Sequence, residues 1–325
     1  MFYDFDQCPL DLQHVYGGHA AQKVGVLINN EPYMLKYPTN LKKRDIKNSD
    51  LSYSNSPYSE YIGSHIYNIL GIPVHDTLIG QRKGKTVVAC KNFCKENERL
   101  MMFSEIKTTF EPSRVFSEDS SITEGSNTDL QEVLQVLNEH PLLDFNREQV
   151  KRRFWNMFVI DAYLGNPDRN NENWGLITSN AGKKLAPVYD NGNCLSDKWD
   201  ERKILSFLES SEEEKKNIAF SIPSMFTENE KKIYPFNFIS KKKNKDCNDA
   251  ILRIVPRLIE GQNKINSFIK NISSLEQNSK DFYVEILNQR YTNGLLPVFK
   301  EIYKERYGKP YCQNSGYSEG AGRGF

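Results

Sequence analysis

No run of this 325-residue sequence comes near 18 consecutive apolar residues, so no segment is long enough to cross a bilayer as a helix. The start, MFYDFDQCPLDL, lacks the basic end and apolar run of a secretory signal and carries Asp4 and Asp6 instead. A soluble protein made in the cytoplasm is expected, with release by a route lacking a signal peptide left open. Net charge is nearly absent: 43 Lys and Arg stand against 42 Asp and Glu, a formal +1. That balance leaves no basic excess to follow a polyphosphate backbone, which disfavours general nucleic-acid binding. The six cysteines (Cys8, Cys90, Cys94, Cys194, Cys247, Cys312) form no CxxC pair and read as reduced thiols. Five isolated histidines (His14, His19, His65, His75, His140) offer no HExxH spacing, so zinc is not expected. Internal repeats are missing as well.

What is present suffices for an ordinary globular core, with 38% hydrophobic and 26% charged residues. The length exceeds that of a typical domain and predicts two lobes. Val24 to Tyr37 holds two short apolar runs around Asn29-Asn30-Glu31-Pro32 and reads as a β-hairpin. SPYSEYIGSHIYNILGI, from Ser56, offers a Ser cap, Pro57 at the first helical position, apolar residues at helical spacing and Gly71 as a stop. DTLIG and TVVAC flank Arg82-Lys83-Gly84-Lys85 and predict a second hairpin. Beyond Phe93 a polar loop (Ser117 to Asn127) gives way to helical periodicity in DLQEVLQVLNEH and REQVKRRFWNMFVIDAYLG. Two further helical stretches, NDAILRIVPRLIEGQNKINSFIKNI and KDFYVEILNQRYTNGLLPVFKEIYKERY, each contain a Pro expected to end or kink the helix. Lys241-Lys242-Lys243-Asn244-Lys245 reads as a solvated loop, with an acidic partner as the alternative. The expected organisation is α+β: a β-rich lobe over 1–95, a larger, mainly helical lobe over 96–307, and a mobile Gly/Ser-rich tail over 308–325.

One apparent phosphate-binding motif fails. GQRKGKT (Gly80 to Thr86) has three residues between its glycines where a P-loop has four, and it runs into a strand rather than a helix. The informative segment is LGNPDRNNENWGLI followed by LAPVYDNGN. Asp168 and Asn173 are five apart, and Asp190 follows a strand expected to pair with WGLI. Phosphoryl transfer needs one carboxylate to orient the attacking hydroxyl, and an amide oxygen plus a second carboxylate to hold magnesium. The same residues are also ordinary turn formers after a helix, and alone they do not decide. The N-terminal third adds Lys36 within the strand-like YMLKY, Glu60 on the following helix as its partner, and Gly17-Gly18 before the first strand. Each is weak singly. Their order is the layout of a kinase fold, with ATP between the lobes.

HAAQKVGVL, YMLKYP, SEYIGSHIYNILGIPV, VVACKNF, GNPDRNNEN and LAPVYD resemble segments of HipA-like serine/threonine protein kinases. The resemblance implies a two-lobed protein-kinase-like fold that uses ATP and Mg²⁺ to phosphorylate a protein substrate on Ser or Thr, and itself as well. It implies that Lys36 contacts the α- and β-phosphates with Glu60 steadying it. Gly17, Gly18, His19, Ala20, Ala21 and Gln22 would form the phosphate loop, and Cys90, Lys91, Asn92 and Phe93 the hinge under adenine. Asp168 would be the catalytic aspartate, with Asn173 and Asp190 as metal ligands. His19-Ala20-Ala21-Gln22-Lys23 departs from the family's usual Ser-Gly phosphate loop, so control by loop phosphorylation does not carry over. The extra N-terminal module of longer relatives is expected to be missing. Two other readings stay open. DRNNENW also resembles type II phosphatidylinositol 4-kinases, although no apolar or cysteine-rich insertion accompanies it. An inactive ATP-binding scaffold is the other.

Overall fold

The computed structural model describes residues 1–14, 16, 22–42, 51–110 and 125–312 of the chain. Its N-terminal sheet begins with a two-residue strand, β1 (Tyr3–Asp4), followed by β2 (Lys23–Ile28) and β3 (Glu31–Lys36). Asn29 and Asn30 join β2 to β3 in left-handed backbone, φ 52° and 62°, which matches the twist of a two-residue hairpin. β4 (Thr77–Arg82) and β5 (Lys85–Lys91) form the second expected hairpin through Lys83-Gly84, also at positive φ. GQRKGKT is therefore a hairpin turn. The five strands run in the order β1-β4-β5-β3-β2, and β1 joins the edge in parallel with β4. On the opposite edge the N-terminal segment returns, with Leu27 N–H donating to the Pro9 carbonyl and Asp11 N–H to that of Gly25.

Alternation along the strands divides the sheet's side chains between two faces. Val87 and Ala89 pack with Phe5, Val26, Tyr33, Leu35 and Tyr37 on one side. Val88 and Cys90 join Ile79 and Met34 on the other, against Tyr58 and Tyr61 of α1 (Ser56–Ile69). α1 ends at Gly71, φ 68°, as expected, but Asn55 rather than Ser56 occupies its N-cap position. The correction is one residue: Ser56 already has helical backbone, and Pro57 supplies the preset first turn.

α1 also gives Ile62, Ile66, Tyr67 and Leu70 to the large helical core, so it belongs to both packing units. After β6 (Arg99–Met102) and α2 (Phe103–Thr108) come α3 (Leu130–Glu139) and α4 (Arg147–Leu164). α4 buries nearly its whole circumference from Phe154 to Leu164 and forms the axis of the core. β7 (Gly175–Ser179) and β8 (Gly182–Leu185) follow, and β6-β7-β8 form a small sheet. WGLI pairs as expected with the start of LAPVYD, Leu176 facing Leu185 and the Ala186 N–H bonding the Gly175 carbonyl, and the hairpin extends back through the polar GKK of β8. Val188 instead makes a parallel bridge to Val74, which draws the residues before Asp190 under the N-terminal lobe.

The remaining helices are α5 (Glu201–Glu209), α6 (Glu212–Phe220), α7 (Pro235–Ser240), α8 (Lys245–Lys270), α9 (Gln277–Arg290) and α10 (Leu296–Tyr307). A two-residue hairpin, β9 (Thr227–Glu228) and β10 (Lys231–Lys232), precedes α7. α8 continues through Pro256 instead of ending there. Ile254, Val255 and Leu258, all fully buried, hold that turn despite its missing N–H. Pro297 does interrupt its helix: a π turn over Tyr291–Leu295 separates α9 from α10, because Pro297 cannot donate to the carbonyl four residues back. The basic run is partly engaged within the fold, since Lys242 pairs with Glu301 and Glu305 of α10, and Lys245 with Asp249. All cysteines among the described residues are free thiols. Most of the polar 117–127 stretch and most of the 308–325 tail lie outside the described residues.

Candidate active site

Lys36 closes β3 on the face that looks toward α1, and its ammonium meets two carboxylates. Nζ lies 2.7 Å from Glu60 Oε2 and 2.9 Å from Asp190 Oδ1. Glu60 is fully buried, and its second oxygen, Oε1, accepts from the Asn191 backbone N–H and from His75 Nε2, each at 2.9 Å. Burial would push the Glu60 carboxyl upward, but Lys36 and then His75 hold it well below its ordinary value. For Lys36, burial acts downward and is outweighed by Asp190 and Glu60, which keep the ammonium charged well above its ordinary range. Gly63, one turn beyond Glu60, lets the Asp190 loop approach this closely: a Cβ there would stand 2.9 Å from that of Asn191.

The second half of the site hangs from the end of α4. Gly165 ends the helix at φ 63°, and the backbone N–H of Asp168 then bonds the Asn166 side chain at 3.0 Å. Arg169 turns inward. It donates to Asp161 Oδ2 at 2.9 Å, to the Asn173 carbonyl at 3.0 Å, to the Asn191 side-chain oxygen at 2.5 Å and to the Tyr189 carbonyl. Tyr67 from α1 donates to the same Asp161 at 2.9 Å. One buried guanidinium thus fixes the loop carrying Asp168 and the loop carrying Asp190 to a common floor.

Asp168 is left with its carboxylate on Asn193, whose amide donates at 2.6 Å. Its pKa is raised by burial and then by the charge of Asp190, so the two carboxylates feel each other. The Asn173 amide donates to the Asp168 carbonyl at 2.6 Å, which leaves its oxygen as the acceptor end of the side chain. Lys36, Glu60 and Asp190 are therefore joined directly, and Asp168 and Asn173 are joined to each other.

The expected hinge residues divide by side. The Cys90 thiol lies within 4.8 Å of Glu60 and His75 in the interior, and burial raises its pKa. Lys91 faces the other way and pairs with Glu31 at 2.7 Å. The Asn92 backbone N–H bonds the Pro32 carbonyl at 2.9 Å. Phe93 packs on Tyr189, next to Asp190, with ring centroids 5.6 Å apart. Gln22, at the end of the expected phosphate loop, is exposed and accepts the Tyr37 N–H at 3.0 Å. Gly17, Gly18, His19, Ala20 and Ala21 lie outside the described residues.

Sequence reasoning missed His75, Asp161, Arg169, Asn191 and Asn193. Asp161 had a signal, a lone carboxylate in the apolar helix FVIDAYL, and Arg169 is the natural buried partner next to Asp168. His75 had none, because its contact with Glu60 depends on how α1 returns to the sheet.

Residues 17–256 match the HipA-like C-terminal domain. The chain belongs to the HipA-like family. A relative, the serine/threonine-protein kinase CtkA of Helicobacter pylori strain J99, is 35% identical over 292 residues, covering 88% of this chain and 84% of that protein. The crystal structure of a Helicobacter pylori proinflammatory kinase CtkA superposes with a TM-score of 0.83 at 31% identity, over 94% of this chain and 99% of that one. The HipA of Shewanella oneidensis MR-1, solved with HipB and operator DNA, overlaps at a TM-score of 0.49 and 11% identity, over 89% of this chain and 70% of that one. The β-rich N-terminal region and helical C-terminal region of this HipA-like chain are thus those of a kinase-like structure. Among the described residues no helix is long and apolar enough to cross a membrane.

Proposed function

We propose that this chain is a serine/threonine protein kinase that transfers the γ-phosphate of ATP to a protein hydroxyl with magnesium. The observation that carries the reading is the meeting of Lys36, Glu60 and Asp190 at one ammonium, between strand, helix and loop. Lys36 binds the α- and β-phosphates, and Glu60 holds it at the required point. Asp168 orients the acceptor hydroxyl and takes its proton as the bond to phosphorus forms. Asp190 and Asn173 hold the metal, the phosphate loop at 17–22 covers the phosphates, and residues 90–93 receive the adenine. ATP then sits between a lobe over 1–95 and a lobe over 96–307.

The donor set suits magnesium: a carboxylate and an amide oxygen are hard ligands. The mutual influence of Asp168 and Asp190 marks a place where a cation relieves repulsion. When bound, the metal neutralises charge on the phosphate oxygens. The relative named a serine/threonine-protein kinase supports the protein acceptor, and nothing among the relatives supports a lipid one.

The test is γ-phosphate transfer to the protein itself and to a generic basic protein, with the acceptor located by mass spectrometry. Incorporation on Ser or Thr that disappears in Asp168→Asn and in Lys36→Ala is expected. Transfer that survives Asp168→Asn unchanged would refute the assigned roles. Thermal stabilisation by ATP without any transfer would point to the inactive scaffold.

A further inference from the structure

The geometry points to His75 as a positioning residue that locks Glu60 for its contact with Lys36, an inference that rests on the kinase reading above. His75 Nε2 lies 2.9 Å from Glu60 Oε1 and 3.2 Å from Ser64 Oγ, and the ring is 4% exposed. An ionised carboxylate can only accept, so the proton of this bond sits on Nε2. The His75 backbone N–H donates to the Val188 carbonyl at 3.0 Å, and the Val188 N–H to the Pro73 carbonyl at 2.9 Å. Val188 stands two residues before Asp190. His75 is thus stitched by its backbone to the strand entering the Asp190 loop, and by its ring to the helix residue facing Lys36.

Ser64 and Asn191 close the arrangement. The Asn191 side chain donates to Ser64 Oγ at 3.0 Å while its backbone N–H shares Glu60 Oε1 with His75. Oε1 therefore has two fixed donors, which leaves Oε2 as the Glu60 oxygen that meets Lys36. Removing the imidazole frees one of the two anchors of Oε1 and lets the carboxylate rotate about its last torsion. The Lys36 ammonium then shifts toward Asp190, its remaining partner. Misplacement of a phosphate-positioning group weakens the transition state more than the ground state.

The experiment compares the unaltered full chain with His75→Ala and His75→Gln. The glutamine amide can present an N–H near the place of Nε2, so it restores the bond without the ring. In His75→Ala, kcat is expected to fall roughly 10- to 100-fold while KM for ATP moves less than about 3-fold, and in His75→Gln kcat should return to within about 3-fold. A second readout needs no phosphate transfer: the rate at which an amine-selective sulfonyl fluoride carried on adenosine labels Lys36. An ammonium no longer held at Glu60 Oε2 presents a different geometry to the probe, so the labelling rate should shift in His75→Ala and return to normal in His75→Gln. Unchanged kcat and labelling in a folded His75→Ala would overturn the inference, as would equal losses in both variants. If the unaltered chain transfers no phosphate yet labelling follows the expected pattern, the kinase reading fails and the positioning role stands.

Discussion

Replacing Asp197 by asparagine should stabilise this protein, and by more at pH 8 than at pH 5. Asp197 is 4% exposed, and its Oδ2 has no hydrogen-bond partner among the described residues. The neighbouring Lys198 ammonium stays 3.8 Å from Oδ1. Leu195 and Ser196, just before it, both take left-handed backbone at φ 56° and 55°, so the turn holds the carboxylate where relaxation would not leave it. Burial lifts its pKa from 3.8 to about 6, with Lys198 opposing and the charge of Asp168 adding to the rise.

The folded state therefore binds the proton more tightly than the unfolded state. The destabilisation is absent below the unfolded pKa, grows as pH rises between 3.8 and about 6, and is constant above. At 1.36 kcal/mol per unit, ionised Asp197 costs roughly 3 kcal/mol at pH 8 and roughly 1.5 at pH 5. Asparagine cannot ionise, and whatever its own packing costs is the same at both values. Urea unfolding of the two proteins at pH 8 and pH 5 should show the variant's advantage shrinking by about 1.5 kcal/mol at the lower pH. An advantage independent of pH, or one larger at pH 5, would refute the reasoning.

Three other outcomes are expected. Arg169→Met leaves Asp161 buried without its cation and should cost about 3–5 kcal/mol in urea unfolding, far more than an exposed pair would. Gly165→Ala puts a Cβ into left-handed backbone 2.2 Å from the fully buried Arg290 guanidinium, and a loss of roughly 2–4 kcal/mol by the same assay is expected. A loss below about 1 kcal/mol would show that the end of α4 yields more easily than its packing implies. Chelating divalent metal should stop γ-phosphate transfer while the circular dichroism spectrum stays unchanged; transfer that persists in excess chelator would remove Asn173 and Asp190 from metal binding.

The sequence was most readable where local chemistry decides. Asn29-Asn30 and Lys83-Gly84 announced two hairpins, and Pro57 and Gly71 bracketed α1, because turn and cap preferences act within a few residues. Lys36 and Glu60 could be paired because a charge in a strand between apolar neighbours needs a partner. Pairing over distance was less readable. LAPVYD begins as the strand expected to pair with WGLI, through Leu185 and Ala186, but Val188 then leaves it for Val74, which no local preference announces. Pro256 and Pro297 look alike in the sequence, but α8 carries one through its interior while the other follows a π turn. The floor of the site, Asp161 with Arg169 and Asn191, joins three segments whose meeting no spacing rule encodes.

The first eleven residues seal both edges of the N-terminal sheet, β1 beside β4 and Pro9–Asp11 beside β2. This has a consequence for synthesis on the ribosome. Tyr3 and Asp4 are made before their partners Gly80 and Gln81, which follow 77 residues later. Leu10, by contrast, meets Val26 within the first thirty residues, so the two edges close at different times, and of Phe2, Phe5, Leu10 and Leu12 only Phe5 is buried in the finished fold. The segment is thus a clasp that closes in two steps, the β2 edge early and the β4 edge late, and a perturbation of residues 3–11 acts on both sheet edges.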